Sequence, residues 1–204
     1  MYRYFFWDFD GTLFDSYPVL LKAMAGILAE RGFHPDSREL ETRLRSSIKD
    51  TIQWASDSHG LSPSQLGTAF TVRHLELEEQ GIPLMEGAAD ICRAVAAAGG
   101  QNFLYTHRDV SALRTLASKE LLSLFTDWVT AEDGFPRKPA PDALLHLLNK
   151  HGLEPSRSVM VGDRLIDVQA AAHAGIDGIL LGGSATGAFR RIQNLRELLP
   201  LVKA

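Results

Sequence analysis

Asp8, Asp10 and Asp15 follow one another in the stretch YFFWDFDGTLFDS, directly after an apolar run. Carboxylates crowded at the end of a buried strand repel one another, and burying charge is costly unless it is paired or coordinated. Two readings follow: the acids cap turns, or something cationic sits among them. Residues two apart in a strand share a side, so Asp8 and Asp10 are expected to face together with Phe9 turned away. Gly11 then allows a sharp turn and a close approach of backbone to a ligand. Thr12 adds an amide and a hydroxyl. A calcium loop of the helix–loop–helix type fits poorly, because its glycine position falls on Leu13 and a strand precedes the site.

Three other places carry reactive side chains at comparable positions. FLYTHRD ends an expected strand on Thr106. FPRKPAPD fixes Lys138 in a stretch stiffened by Pro136, Pro139 and Pro141. VMVGDRLIDVQAA ends another expected strand on Asp163, with Asp167 one helical turn further on. Taken singly, each has a bland reading as a turn, a helix cap or a surface lysine. Together they would converge on one edge of one sheet.

The elements that must position these groups are legible as alternation. YRYFFWDF reads as a strand buried on both faces. From residue 83 onward, helical patterns (GAADICRAVAAAGG, DVSALRTLASKELLSLF, PDALLHLLNKHG, LIDVQAAAHAG) alternate with strands (QNFLYTH, DWVTAED, SVMVG, DGILLGG). Asp109 or Ser111 is the expected cap of the second of those helices. FRRIQNLRELLPLV reads as a final helix. The pattern predicts an α/β fold: a Rossmann-like parallel sheet with helices on both faces, built from residues 1–15 and 83–204. Residues 16–82 interrupt it with about four helices and no strand pattern, the last of them opening on Ser62 and Pro63. Such an insert is expected over the carboxyl edge of the sheet, where open α/β folds bind ligands. It is a candidate lid.

Composition limits the alternatives. The 204 residues are 45% hydrophobic and 23% charged, as in an ordinary globular protein. A net charge of −4 gives no electrostatic reason to expect nucleic acid or an anionic membrane. The single cysteine, Cys92, rules out an intrachain disulfide and a multi-cysteine metal site. Arg3 and Asp8 break the N-terminal apolar run too early for a signal-peptide core, and no stretch is long enough to span a bilayer. A cytoplasmic, reducing, magnesium-rich setting is therefore expected. Oligomeric state is not readable.

In their order and spacing, DFDGTLFDS, YTHRD, RKPAPD and VGDRLIDVQAA resemble the four motifs of the haloacid dehalogenase-like hydrolases. The helical insert resembles the cap of the phosphoglycolate phosphatase and β-phosphoglucomutase branch. What the resemblance implies is an aspartyl-phosphate intermediate and dependence on Mg²⁺. Asp8 would be the nucleophile and a metal ligand. Asp10 would be the acid/base and would touch the metal through its backbone carbonyl. Gly11, Thr12, Thr106, His107 and Lys138 would hold the phosphoryl group. Asp163 would complete the metal site, with Asp167 close behind. The second motif departs from the pattern, since His107 and Arg108 stand where Asn is frequent.

The implied chemistry accounts for the residue types. A carboxylate attacking a phosphate monoester brings two anions together, and each like pair at ~4 Å and an effective dielectric of ~20 opposes approach by ~4 kcal/mol. Mg²⁺ on hard carboxylate oxygens and the ammonium of Lys138 would offset that repulsion. A second acid at Asp10 points to phosphatase or phosphomutase chemistry, because by analogy a dehalogenase lacks it and transport ATPases carry Thr there. A non-catalytic phospho-switch fits less well, since it accepts phosphate after a middle strand. The expected substrate is a small phosphorylated metabolite. Arg43, Arg45, Lys49, Trp54, His59, Arg73 and His74 of the insert are polar candidates for contacting it, with Lys49 preferred.

Overall fold

The computed structural model describes residues 1–183 and 189–202. The chain divides into two compact units, Met1–Phe14 with Leu84–Ala204, and Asp15–Pro83.

The first unit is built on a six-stranded, wholly parallel sheet: β1 (Tyr4–Trp7), β2 (Gln101–Tyr105), β3 (Phe125–Val129), β4 (Ser158–Gly162), β5 (Asp177–Leu181) and β6 (Arg190–Ile192). The order is β3-β2-β1-β4-β5-β6, with β1 central between β2 and β4. Side-chain alternation builds two layers. Phe6, Phe103 and Met160 pack on one face with Leu144 and Leu147 of α7 (Asp142–His151) and Ala170 and Ala171 of α8 (Leu165–His173). On the other face Phe5 stacks on Trp7. The Trp7 indole donates to Asn102 there, and the Asn102 amide donates to the Cys92 carbonyl of α5 (Ala88–Ala97). Those bonds satisfy polar groups that burial would otherwise penalise. Burying each large apolar side chain of β1 contributes roughly 1.5–3 kcal/mol.

The second unit is a helical bundle: α1 (Tyr17–Ala29), α2 (Ser37–Ser46), α3 (Ile48–His59) and α4 (Pro63–Glu78). Leu20, Met24, Ile27, Leu40, Leu44, Leu66 and Phe70 form its core. Three of these four helices start on a side-chain cap. Asp36, Ser47 and Ser62 accept amide hydrogens at the N-termini of α2, α3 and α4. No helix among the described residues is long and apolar enough to cross a membrane.

Two segments differ from expectation. The sequence predicts one helix through Phe125, but α6 (Ser111–Ser118) ends early because Glu120 adopts the left-handed φ of 56°. The cap position is Val110, not Asp109 or Ser111, and no side chain caps the helix; Asp109, one residue earlier, accepts from the Ser111 amide at 2.8 Å. The predicted final helix is instead β6, followed by a 3₁₀ stretch, Leu195–Leu201. Asn194 accepts from the Arg196 amide and restarts the chain after the strand. Pro200 has no N–H for an α-helical bond, so the longer helix does not form.

Asp127 ties β3 to α7, with Lys150 and His151 both 2.7 Å from its Oδ2. Burial pushes its carboxyl up, but bonds from Lys150, His151 and the Trp128 amide outweigh that and bring its pKa down to about 2. A depressed carboxylate stabilises the fold above its unfolded pKa of ~3.9 and loses that contribution as pH falls through the folded value. Asp127→Asn is therefore expected to be slightly less stable than the wild type at pH 7. Solvent screening keeps the difference below about 1 kcal/mol. Denaturant melts at successive pH values should show the gap closing between about pH 4 and 2.

Candidate active site

β1 stops at Trp7, and the chain turns at once. Phe9 offers its carbonyl to the amides of Thr12, Leu13 and Phe14, Gly11 takes a φ of +73°, and its amide bonds to the Phe14 carbonyl at 2.8 Å. The Phe9 and Phe14 rings stack at 4.3 Å and close the turn. Asp8 and Asp10 thus lie beyond the strand, and strand parity does not set their directions. Asp8 is buried, whereas Asp10 is partly exposed. The two acids also take different partners.

Lys138 is the partner of Asp8. Its side chain is 0% exposed, and Nζ lies 2.6 Å from Asp8 Oδ1 and 2.8 Å from Asp167 Oδ1. The bond to Asp8 is an aligned hydrogen bond, while the contact with Asp167 is a charge contact without that alignment. Nζ also sits 4.5 Å from the centre of the Tyr105 ring. Burial alone would lower the lysine's pKa, but Asp167 and Asp8 outweigh it and raise it. Lys138 therefore stays charged.

Arg108 is the partner of Asp10. Its Nε donates to both carboxylate oxygens at 3.0 Å, and the guanidinium lies 4.9 Å from the centre of the Phe9 ring. The sequence reading noted Arg108 as a departure from the pattern but assigned it no partner. Thr106 follows β2, its amide bonded to the Val129 carbonyl, and its hydroxyl oxygen accepts from the Arg108 amide at 3.1 Å. Thr12 Oγ1 is buried without a hydrogen-bond partner. His107 turns Nε2 to the Lys138 amide, at 2.9 Å.

Asp163 stands directly after β4, and Asp167 lies in the first turn of α8, where its Oδ2 accepts from the Arg164 amide at 3.0 Å. Asp8, Asp163 and Asp167 each bring a carboxylate oxygen within 4.8 Å of the others. Such a group fits a hard divalent cation such as Mg²⁺. Asp8 Oδ2 is buried with no hydrogen-bond partner, as a ligand oxygen would be. Asp167 adds to the case. Burial raises its pKa and the charge of Asp8 raises it further, against the pull of Lys138. A metal ion among the three carboxylates would offset their mutual repulsion.

Gly162 makes the packing of Asp167 possible. A Cβ there would overlap Cβ and Cγ of Asp167. Gly162→Ala is expected to cost ~1–3 kcal/mol of stability by overpacking. It should also drive the Asp167 carboxylate off Lys138 and lower turnover by ~10²-fold, the scale of an ångström-sized misplacement. Denaturant midpoints and turnover rates on the same preparation would check both.

Residues 5–181 match the family described as haloacid dehalogenase-like hydrolase. A phosphoglycolate phosphatase of Pseudomonas putida is 29% identical over 97% of this chain and 79% of its own length. One from Pseudomonas aeruginosa is 28% identical over the same shares. Among solved structures, a hydrolase from Streptococcus pneumoniae superposes with a TM-score of 0.72 at 29% identity, covering 98% of both chains.

Proposed function

The chain belongs to the haloacid dehalogenase-like hydrolases, and from that premise we propose that it is a Mg²⁺-dependent phosphatase acting on a small phosphorylated metabolite of the phosphoglycolate type. The observation that carries this reading is the cluster of buried Asp8, Lys138 and Asp167 with the partly exposed Asp163, Asp8 Oδ2 being uncommitted. The relatives named phosphoglycolate phosphatase support the substrate class. Residues 16–82 are read as the cap that selects the substrate, and the cytoplasm as the place of action.

In this reading one oxygen of the Asp8 carboxylate attacks phosphorus, and the bond from phosphorus to the ester oxygen breaks. Asp10 gives its proton to the departing alkoxide. The Asp10 carboxylate then takes a proton from water as the water oxygen attacks the phosphorus of the aspartyl phosphate. Inorganic phosphate leaves, and Asp8 is restored. Lys138 and the Thr106 and Thr12 hydroxyls surround the phosphoryl oxygens and oppose their charge. Arg108 holds Asp10 toward the leaving group. Asp8 and Asp163 would hold Mg²⁺, helped by the Asp10 backbone carbonyl, and the ion would neutralise phosphoryl charge.

The test is turnover of p-nitrophenyl phosphate and of a panel containing 2-phosphoglycolate, sugar phosphates and nucleotides. Phosphate release with Mg²⁺ and none with chelator is expected. Failure on every monoester would reject the reading.

A further inference from the structure

We propose that His107 is a positioning residue that sets the depth of Lys138 by holding the lysine's backbone amide, and that it is not itself a phosphate ligand through Nε2. The proposal rests on the phosphatase reading for its functional meaning, and on geometry for its structure.

Lys138 is carried by an unusual stretch. Pro136, Pro139 and Pro141 have no N–H, so the segment has few amides with which to anchor itself. The Ala140 amide closes a local turn onto the Arg137 carbonyl at 3.1 Å. The Lys138 amide instead reaches His107 Nε2 at 2.9 Å. That bond joins the lysine loop to the residue after Thr106, at the end of β2. A backbone N–H can only donate, so Nε2 must carry the lone pair and the ring proton must sit on Nδ1. Independently, burial lowers the His107 pKa, with the charges of Lys138 and Arg137 adding to it, to about 3. A neutral acceptor nitrogen already committed to an amide is a poor partner for a phosphoryl oxygen.

A second histidine holds the next residue. His173 Nδ1 lies 2.8 Å from the Pro139 carbonyl, and since a carbonyl only accepts, Nδ1–H donates. His173 closes α8, the helix that carries Asp167 in its first turn. The backbone around Lys138 is thus tied on one side to the β2 end and on the other to α8. Both ties matter because the lysine stem is long and flexible. With Nζ sealed from solvent between two carboxylates, a displaced backbone cannot be compensated by water.

The experiment combines kinetics with spectroscopy. His107→Leu removes the acceptor. It is expected to lower kcat/KM for p-nitrophenyl phosphate by ~10²-fold and to weaken competitive inhibition by inorganic phosphate. His107→Gln places an oxygen near the Nε2 position and should recover most of both losses. ¹⁵N spectra of the histidine rings in the wild type should show His107 as the Nδ1–H tautomer, with no change of tautomer on adding inorganic phosphate. Wild-type kinetics in His107→Leu, a Gln variant as poor as the Leu variant at equal melting temperature, or a protonated Nε2 would each overturn the proposal. Should His107→Leu not fold, the Gln variant and the wild-type spectra still decide. A wild type that hydrolyses no phosphomonoester would instead reject the phosphatase reading, and the tautomer measurement is independent of it.

Discussion

Asp8→Asn is expected to abolish turnover of every phosphomonoester, a loss on the order of 10⁴-fold or more, as when a nucleophile is removed from a catalytic unit. The substitution keeps the shape of the side chain and removes its charge. An amide is a poor nucleophile, so the bond from Asp8 to phosphorus cannot form. It is also a weaker ligand for a hard cation than a carboxylate. The fold should survive. Lys138 keeps Asp167 as a partner, and removing one of three crowded carboxylates relieves repulsion among those that remain. Two measurements separate these statements. Steady-state assays with Mg²⁺ should show no phosphate release above background. Thermal melts should show a smaller rise in melting temperature on adding Mg²⁺ than the wild type gives. Ordinary turnover in this variant would remove Asp8 from the chemistry, whatever the melts show.

Asp10→Asn should divide the reaction into its halves. Formation of the aspartyl phosphate needs a proton donor only when the leaving group is poor, and nitrophenolate departs without much help. Asp8 should therefore still be phosphorylated by p-nitrophenyl phosphate. Hydrolysis of that intermediate then lacks its general base, a loss of ~10²–10⁴-fold. Rapid mixing is expected to release about one equivalent of nitrophenol per site, followed by a near stall. Intact mass should reveal a phosphoryl adduct. An alkyl phosphate such as 2-phosphoglycolate should give neither burst nor turnover. The substitution is gentle, because the Asn carbonyl can still accept from Arg108 Nε, which now donates to both Asp10 oxygens. Normal steady-state rates on the alkyl phosphate would show that Asp10 is not the acid/base.

Much of the fold could be read along the chain, because its causes are local. Alternating strand and helix patterns call for a parallel sheet, which the six strands form. Ser62, the expected cap, starts its helix through a bond spanning only three residues, and Asp36 and Ser47, which the sequence reading did not single out, do the same. The tail was misread where local signals conflict. FRRIQNLRELLPLV has a helical distribution of apolar residues, but Ile192 pairs with Leu181 as an edge strand and Pro200 forbids the longer helix.

At the site, the sequence determined which side chains stand at strand ends. Asp8 follows β1, Thr106 follows β2 and Asp163 follows β4, and a parallel sheet brings those ends to one edge. Only the tertiary structure decided who touches whom. Asp10 and Arg108 are 98 residues apart, Lys138 and His107 are 31 apart, and Asp8 and Lys138 are 130 apart. Strand parity suggested that Asp8 and Asp10 share a side. The Gly11 turn begins one residue after Asp8, and one acid meets a buried lysine while the other meets a largely buried arginine. Periodicity encodes which face a residue takes within its own element. It carries no information about the partner a loop side chain meets, because that depends on where the fold brings distant loops together.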